Sequence, residues 1–232
     1  MDRDYCDKNR IDYALMPDGR RFADLKLVAM DMDSTLITME TIDELGDLVG
    51  KKREIAAITE RAMRGEIDYP ESLRQRVSLL KGLPESGLLE IYETRLKLTA
   101  GADVLLAACK RHGVKTLLVS GGFTYFVERL KTRLGIDYTI ANTLELANGR
   151  LTGGLIGDIV DAEAKARKFR SVVAELKAEK HRTVAIGDGA NDLKMMAEAG
   201  LSIAFHAKPV VRAQASCALT WSGLDGVVNL FE

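Results

Sequence analysis

The chain has 232 residues, a formal net charge of -1 at pH 7 and 29% charged residues. This length accommodates one large domain, or one domain with a small second one, and the charge gives no general attraction to nucleic acid or to an anionic membrane. No apolar run approaches the roughly 20 residues of a membrane span, and the N-terminal stretch MDRDYCDKNR is too charged for a signal peptide.

Five short apolar runs, each closed by turn or polar residues, predict β-strands. They are LKLVAM (25–30), VKTLLVS (114–120), YTIANTLEL (138–146), RTVAIGD (182–188) and LSIAF (201–205). Helical patterns lie between most of them, as in DVLLAACKRHG, FTYFVERLKTRLG and AEAKARKFRSVVAELKAE. This alternation predicts an α/β fold with a Rossmann-like, mostly parallel sheet and helices on both faces. Strand-like segments on either side of Ala147-Asn148-Gly149 predict an added hairpin.

The segment after the first strand interrupts this alternation. From about Thr41 to Leu98 the sequence predicts several helices and no strand, with breaks near Gly50, Gly65 to Pro70 and Gly82 to Pro84. A helical insertion at this point would lie over the carboxyl edge of the sheet, where open α/β sheets bind ligands.

These features divide the chain into two expected domains. Residues 1–38 and 98–232 are expected to form the α/β catalytic core, and residues 39–97 an inserted helical cap. Residues 1–24 are too few for an independent domain and are expected to form a short N-terminal extension of the core.

Polar clusters follow three of the predicted strands. They are Asp31, Asp33 and Thr35 after the first strand, SGGFT (120–124) after the second and GDGAND (187–192) after the fourth. Each alone has an ordinary explanation as a turn or a flexible loop. Because the carboxyl ends of parallel strands meet at one edge of the sheet, we expect the three clusters to converge on a functional site.

The aspartates of these clusters indicate a metal-dependent site. If the first strand stays extended, Asp31 and Asp33 project from the same side. Their repulsion would keep one of them protonated unless a cation lies between them. Together with Asp188 they predict a hard-cation site that fits Mg²⁺.

The same residues suggest a phosphoryl-transfer reaction. Asp31, kept ionised by the cation, could act as a nucleophile, while Asp33 could protonate the leaving oxygen and later activate water. Ser120, the N–H groups of Gly121 and Gly122, and a helix N-terminus would form an anion cradle. A lysine would complete the charge neutralisation.

The motifs DMDSTL, SGG and GDGAND, in this order, resemble those of the haloacid dehalogenase superfamily of aspartate-nucleophile phosphatases. The longer segments DMDSTLITMETIDEL, ESLRQRVSLLKGLP, VSGGFTYF and GDGANDLKMM with AGLSIAFHAKP are similar to the phosphoserine-hydrolysing members. Glu40 and the segment around Arg76 carry this closer resemblance, which runs from about Leu25 to the C-terminus. It implies Mg²⁺-dependent hydrolysis of L-phosphoserine to L-serine and phosphate through an aspartyl-phosphate, the last step of serine biosynthesis.

By position, the resemblance implies roles for individual residues. Asp31 would be the nucleophile and Asp33 the general acid/base, with Mg²⁺ held by the carboxylates of Asp31 and Asp188 and by the backbone carbonyl of Asp33. Asn191 and Asp192 would support the metal and phosphate site.

The resemblance also implies a set of substrate contacts. Ser120 and Lys165 would hold the phosphoryl group, Gly121 would contribute its backbone and Gly122 would support it. Glu40 would bind the substrate ammonium and Arg76 its carboxylate. The lysine could be Lys165 or Lys168, either of which could be a solvated helix residue, and register against the family favours Lys165.

Arg76 can also be considered from the local pattern alone. It falls inside the apolar arc formed by Leu73, Val77, Leu79 and Leu80, where a charge is costly unless it finds a partner. Snorkelling to solvent or a structural ion pair would explain it, but a substrate carboxylate bound bidentately is the sharper explanation. Met63 and Tyr69 are expected in the core of the cap rather than along the pocket.

Two other functions fit the same residues. A phosphotransferase, or a phosphatase for phosphoethanolamine or phosphocholine, would need the same core, but a substrate without a carboxylate gives Arg76 nothing to bind. A regulatory or binding protein on this scaffold would not need Asp31 and Asp33, yet the sequence has both.

The expected partner is a small phosphomonoester, without nucleic acid or membrane, and the sequence leaves monomer and homodimer equally open. Cys6, Cys109 and Cys217 are odd in number and far apart. They therefore predict thiols in a reducing cytoplasm, with no disulfide framework and no zinc site.

Overall fold

Residues 3–232 are described by the structure, a computed structural model. They contain a seven-stranded sheet, whose strands are β1 (Leu27–Asp31), β2 (Lys115–Phe123), β3 (Tyr138–Ala147), β4 (Arg150–Ile156), β5 (Thr183–Gly187), β6 (Leu201–Phe205) and β7 (Cys217–Leu219). The strand order in the sheet is β4-β3-β2-β1-β5-β6-β7. Neighbouring strands are parallel except for the antiparallel pair β3 and β4. The predicted fold class, a mostly parallel α/β sheet, is confirmed.

Helices cover both faces of this sheet. They are α1 (Arg3–Lys8), α2 (Thr41–Leu48), α3 (Lys52–Met63), α4 (Tyr69–Ser78), α5 (Glu85–Glu90), α6 (Ala102–His112), α7 (Thr124–Leu134), α8 (Ala162–Glu175), α9 (Leu193–Glu198) and α10 (Pro209–Arg212). Every residue of β1 is buried. Val28 and Met30 face one apolar cluster, while Leu27 and Ala29 face a second cluster with Phe169 of α8. This two-sided burial explains why the strand reads as a continuous apolar run.

The five predicted strands all occur, and the predicted hairpin is the β3–β4 pair. Its turn contains Asn148 at φ 51° and Gly149 at φ 71°, a backbone conformation that asparagine and glycine tolerate. Strand β7 is not predicted by the sequence. It has only three residues and pairs with β6 at the edge of the sheet, so it is too short to give a periodic pattern.

Helices α2 to α5 lie between β1 and β2 and include no strand of the sheet. Helix α2 contacts β2, and helix α4 contacts β4. The ends of this helical segment meet in an isolated antiparallel bridge between Ile37 and Leu98. The segment therefore leaves the sheet and returns to it at nearly the same place.

The N-terminal part of the chain packs against the C-terminal part. The carboxylate of Asp12 accepts hydrogen bonds from the backbone N–H groups of Thr220, Trp221 and Ser222, at 2.7, 2.9 and 2.7 Å. Burial alone would raise the pKa of Asp12, but these donors hold it below its usual value. In residues 3–232, no helix has both the length and the apolar character needed to cross a membrane.

Candidate active site

Strand β1 ends at Asp31, and the chain then makes a tight turn. Residues Met32–Leu36 form a π-helical turn in which Asp33 is extended and Ser34 has φ 55°. The N–H of Ile37 closes it by donating to the carbonyl of Met32 at 3.0 Å. The strand therefore does not continue to Asp33, contrary to the premise that both aspartates project from one extended strand. The turn nevertheless brings both of them to one cavity.

This cavity, of about 450 Å³, lies between the carboxyl edge of the sheet and the helical segment. The site residues predicted from sequence that line it are Asp31, Asp33, Glu40, Arg76, Gly121, Gly122, Asp188 and Asn191. Three others, Ser120, Lys165 and Asp192, are buried side chains at the base of the site and are at most 1% exposed. The clusters at three separate strand ends thus converge, as parallel strands require.

Lys165 joins two carboxylates beneath the cavity. Its Nζ lies 3.0 Å from Asp31 Oδ1 and 2.8 Å from Asp192 Oδ1. Burial would lower the pKa of Lys165, but the charges of Asp192 and Asp31 raise it above its usual range, so the side chain is a permanent cation. Lys168, one turn further along α8, lies instead 5.9 Å from the ring of Tyr138. Of the two lysines considered from sequence, only Lys165 has these contacts.

Acidic side chains gather at the same place. Carboxylate oxygens of Asp31, Asp188 and Asp192 all lie within 4.8 Å of one another. Burial, followed by the charge of Asp192, raises the pKa of Asp31 well above its usual value and that of Asp188 to about 6. This cluster of close oxygen donors suits a hard divalent cation, which would relieve the repulsion.

The carboxylate cluster differs from the predicted metal set, because it contains Asp192 where the prediction has Asp33. The carboxylate of Asp33 turns away to helix α2, where the N–H and hydroxyl of Thr41 donate to it at 3.2 and 3.1 Å. The predicted metal contact of Asp33 is its backbone carbonyl, which these side-chain bonds leave free.

Asp33 has the properties of an acid that works near neutral pH. Burial and then the charge of Glu40 raise its pKa to about 8, against the opposing effect of the two bonds from Thr41. A carboxyl with such a pKa can donate a proton at pH 7 and take one back later.

The SGG segment approaches the cavity with its backbone. The N–H of Gly122 donates to Ser120 Oγ at 2.8 Å, which leaves the hydrogen of the Ser120 hydroxyl available for another acceptor. A Cβ added at Gly122 would lie 2.7 Å from Asp33 Oδ2, and one added at Gly121 would meet the hydroxyl of Tyr69. A side chain at either position would therefore displace another side chain of the site, which favours glycine at both.

Two further charges of opposite sign, Glu40 and Arg76, line the cavity. Glu40 is exposed and accepts a hydrogen bond from Ser34 Oγ at 2.6 Å. Arg76 is half-buried, and its Nε donates to the carbonyl of Ser72 at 3.3 Å. Within residues 3–232 its guanidinium forms no close ion pair, although its charge opposes the burial that raises the pKa of Asp43.

Met63 and Tyr69 both line the cavity, whereas the sequence favoured the cap core. For Met63 that expectation is wrong, because its side chain is 68% exposed. Tyr69 is partly buried against the core, and its hydroxyl donates to the carbonyl of Gly121 at 3.2 Å.

Sequence reasoning missed several residues of the site. Thr41 holds Asp33, and Asp43 and Lys208 line the cavity. Thr41 is the first residue of a helix, and such a residue gives no sign that it will bind a carboxylate eight positions earlier. Lys208, in the stretch FHAKP, resembles an ordinary solvated lysine until the fold places it beside Asp188, whose carbonyl accepts the N–H of Lys208 at 3.3 Å.

Comparisons with known proteins identify the family of the chain and similar proteins. The family of haloacid dehalogenase-like hydrolases matches residues 28–197. The chain is 54% identical over 217 residues to the phosphoserine phosphatase of Polaromonas sp. (strain JS666), covering 91% of this chain and 92% of that protein.

Solved structures give the same result. The chain is similar to the probable phosphoserine phosphatase of Vibrio cholerae, with a TM-score of 0.87 and 46% identity, over 97% of this chain and 70% of the other. It is also similar to a substrate-bound phosphoserine phosphatase complex, with a TM-score of 0.83 and 37% identity, over 90% of this chain and 99% of the other.

The family match spans more than half of the chain and includes all three strand-end clusters that meet at the cavity. The chain therefore belongs to the haloacid dehalogenase-like hydrolase family.

Proposed function

We propose that this hydrolase is a phosphoserine phosphatase that converts L-phosphoserine and water into L-serine and phosphate. The observation that carries the proposal is the arrangement of one cavity. The cavity is lined by the paired aspartates, by Glu40 close to Asp33, and by Arg76, which forms no ion pair within residues 3–232. These groups match a phosphate at one end of a small substrate and an ammonium and a carboxylate at the other. The phosphoserine phosphatases that resemble the chain over nine-tenths of its length support the same substrate.

The first chemical step belongs to Asp31. Its Oδ1 accepts the N–H of Met32 at 2.8 Å and contacts Lys165, so Oδ2 is the oxygen free to attack phosphorus. The bond from phosphorus to the seryl oxygen breaks as the bond to Asp31 forms. Asp33, protonated at neutral pH because its pKa is about 8, gives its proton to the departing oxygen, which leaves as the hydroxyl of serine.

The second step returns the enzyme to its starting state. Asp33, now ionised, takes a proton from a water molecule as that water attacks phosphorus. The bond to Asp31 breaks, phosphate leaves, and Asp33 is again protonated. Lys165, the Ser120 hydroxyl and the N–H of Gly121 would balance the charge of the phosphoryl oxygens in both steps.

We propose Mg²⁺ as the cofactor. The carboxylates of Asp31 and Asp188 and the backbone carbonyl of Asp33 would hold it, with Asp192 and Asn191 in support. Bound there, the ion would neutralise charge between the carboxylates and a phosphoryl oxygen.

We further propose that residues 39–97 act as a cap that covers the substrate. They supply Glu40, Tyr69 and Arg76 to the cavity wall, while the core supplies the reacting groups. Enclosure by such a cap would exclude bulk water from the aspartyl-phosphate. The three cysteines are free thiols, and we propose a location in a reducing cytoplasm, where free thiols persist. The proposed reaction would be the last step of serine biosynthesis.

The test compares phosphate release from L-phosphoserine, phosphoethanolamine and an aryl phosphate, each with Mg²⁺ and with a chelator. We expect a strong preference for L-phosphoserine that the chelator abolishes. Equal turnover of all three would retain the aspartate chemistry but refute the roles of Glu40 and Arg76. Preference for phosphoethanolamine would favour the alternative amino phosphomonoester. No turnover of any compound would refute the enzymatic proposal.

A further inference from the structure

Asn142 is a buried amide in β3 that has no role in the reaction described above. It is 2% exposed, and both ends of its side chain are hydrogen-bonded. Its Nδ2 donates to the carbonyl of Gly121 at 2.8 Å, and its Oδ1 accepts the N–H of Val160 at 2.8 Å. One side chain thus joins two segments that are close in space but far apart in sequence.

The first of these segments is the predicted anion cradle, Ser120 to Gly122, which is called the phosphate cradle below. The peptide that joins Gly121 to Gly122 is fixed at both ends, because its carbonyl accepts from Asn142 and its N–H donates to Ser120 Oγ at 2.8 Å. Tyr69 adds a second, longer bond to the same carbonyl at 3.2 Å. The orientation of this peptide decides where the Ser120 hydroxyl and the neighbouring N–H groups point.

The second segment is the start of α8. Val160 directly precedes Asp161, whose carboxylate caps the helix by accepting the N–H of Ala164 at 2.8 Å. Lys165 lies in the first turn, and its N–H donates to the carbonyl of Asp161 at 3.0 Å. A shift at Val160 would therefore move the base of the helix that carries Lys165.

We infer that Asn142 is a positioning residue. It holds the phosphate cradle at a fixed distance from helix α8, which carries Lys165. The inference rests on the proposed phosphatase function and adds a residue that touches neither the substrate nor a reacting atom. A buried amide with donor and acceptor both used is suited to this purpose, because it can hold two backbones only in one relative geometry.

The inference predicts a specific kinetic defect in Asn142→Leu. Leucine is branched at Cγ like asparagine, so the shape of the side chain is retained while both hydrogen bonds are lost. We expect kcat/KM to fall by about tenfold or more, and the inhibition constant of inorganic phosphate to rise by about fivefold or more, as expected when bonds that orient charged contacts are lost. The matched control is Thr139→Val, which removes a bond from the same strand, Thr139 Oγ1 to Glu128 Oε1 at 2.6 Å. The control should lower the melting temperature and leave both kinetic constants within twofold of the parent.

Asn142→Asp is the second variant, because it retains an acceptor for Val160 but cannot donate to Gly121 when ionised. If Asn142→Leu does not fold, Asn142→Asp provides the test of the inference. We again expect about a tenfold loss of kcat/KM. Unchanged kcat/KM and phosphate inhibition in a folded variant would overturn the inference, as would an equal defect in Thr139→Val. If the parent hydrolyses only the aryl phosphate, the phosphoserine proposal fails, and the same comparison on that compound still tests Asn142.

Discussion

Thr41 holds Asp33 by two hydrogen bonds, from its backbone N–H to Oδ1 at 3.2 Å and from its hydroxyl to Oδ2 at 3.1 Å. The pair joins the first residue of α2, in the helical segment, to the proposed acid/base of the core. Both bonds lower the pKa of Asp33 against the stronger effects of burial and Glu40. The helical segment therefore contributes to the pKa of Asp33, the proposed acid/base.

Thr41→Val tests this relationship because it removes the hydroxyl and keeps the backbone donor. Loss of the hydroxyl bond raises the pKa of Asp33, so ionised Asp33 becomes scarcer and activation of water slows. We expect kcat to fall by about tenfold and the ascending limb of the pH–rate profile to move to higher pH. Thr94→Val is the control, since its hydroxyl bonds only to the carbonyl of Glu90 at 2.7 Å. An unmoved limb in Thr41→Val would contradict the prediction.

The stability of the metal-free protein should depend on pH in a direction set by the buried carboxyls. The pKa values of Asp33 and Asp188 are raised to about 8 and about 6, from the usual value of 3.8 for an aspartate. Groups with raised values bind protons more tightly in the folded state. Their stabilising contribution is complete below about pH 4 and is lost as pH rises through 6 and then 8. In a chelator we therefore expect the melting temperature to fall between pH 5 and pH 9.

Added Mg²⁺ should reduce that fall, because a bound cation favours the ionised carboxylates that high pH produces. Thermal unfolding at each pH, with Mg²⁺ and with a chelator, measures both effects. The Asn substitution of Asp33 should flatten the upper part of the curve in the chelator. A melting temperature that is constant or increases from pH 5 to pH 9 without metal would falsify the interpretation that the pKa values of Asp33 and Asp188 are raised in the folded protein.

Lys165→Met should damage both stability and activity. It leaves Asp31 and Asp192 buried without their cation, and removing one partner of such a pair costs about 3–5 kcal/mol. We expect a comparable loss in the free energy of unfolding, and kcat reduced by about a thousandfold or more. Lys168→Met, on the same helix but without a carboxylate contact in the described part of the chain, should change each quantity little. Denaturant unfolding and phosphate-release assays of the two variants provide the comparison, and equal behaviour would count against the assignment of Lys165.

Ser72→Ala should stabilise the protein. Ser72 Oγ is a buried polar atom without a hydrogen-bond partner within residues 3–232, and alanine both removes that cost and has the higher helix propensity. We expect the free energy of unfolding to rise by about 1 kcal/mol. Ser78→Ala, on the same helix, loses a bond from Oγ to the carbonyl of Gln75 at 2.7 Å and should not be stabilised in this way. A lower melting temperature for Ser72→Ala would show that the hydroxyl has a partner in solution.

The sequence predicted the strands and their polar ends well, because the buried strands of a parallel sheet read as apolar runs and the sheet itself brings their ends together. It could not predict the turn after Asp31. That turn depends on a bond from Ile37 to Met32 and on Thr41, which belongs to the next helix. The family resemblance favoured Lys165 over Lys168 as the lysine of the site. Local periodicity could not distinguish the two, because both lie on α8 and only the packed structure shows which is buried.

Asn142 was missed for a related reason. In the pattern YTIANTLEL it is a polar residue in an apolar strand, and its two partners lie 21 residues before it and 18 residues after it. Only the fold brings Gly121 and Val160 to opposite ends of one amide. Residues that position others in this way have no local sequence pattern, because their hydrogen-bond partners lie in segments that are distant in the sequence.

The bridge between Ile37 and Leu98 brings the two ends of the helical segment side by side. Strands β1 and β2 pair directly with each other, from Leu27 with Lys115 to Asp31 with Val119. An insertion of another size or fold that kept Thr41 could therefore replace the present one with little cost in chain entropy. Such an attachment would allow the wall of the cavity that the helical segment supplies to change while the proposed reacting groups of the core keep their positions.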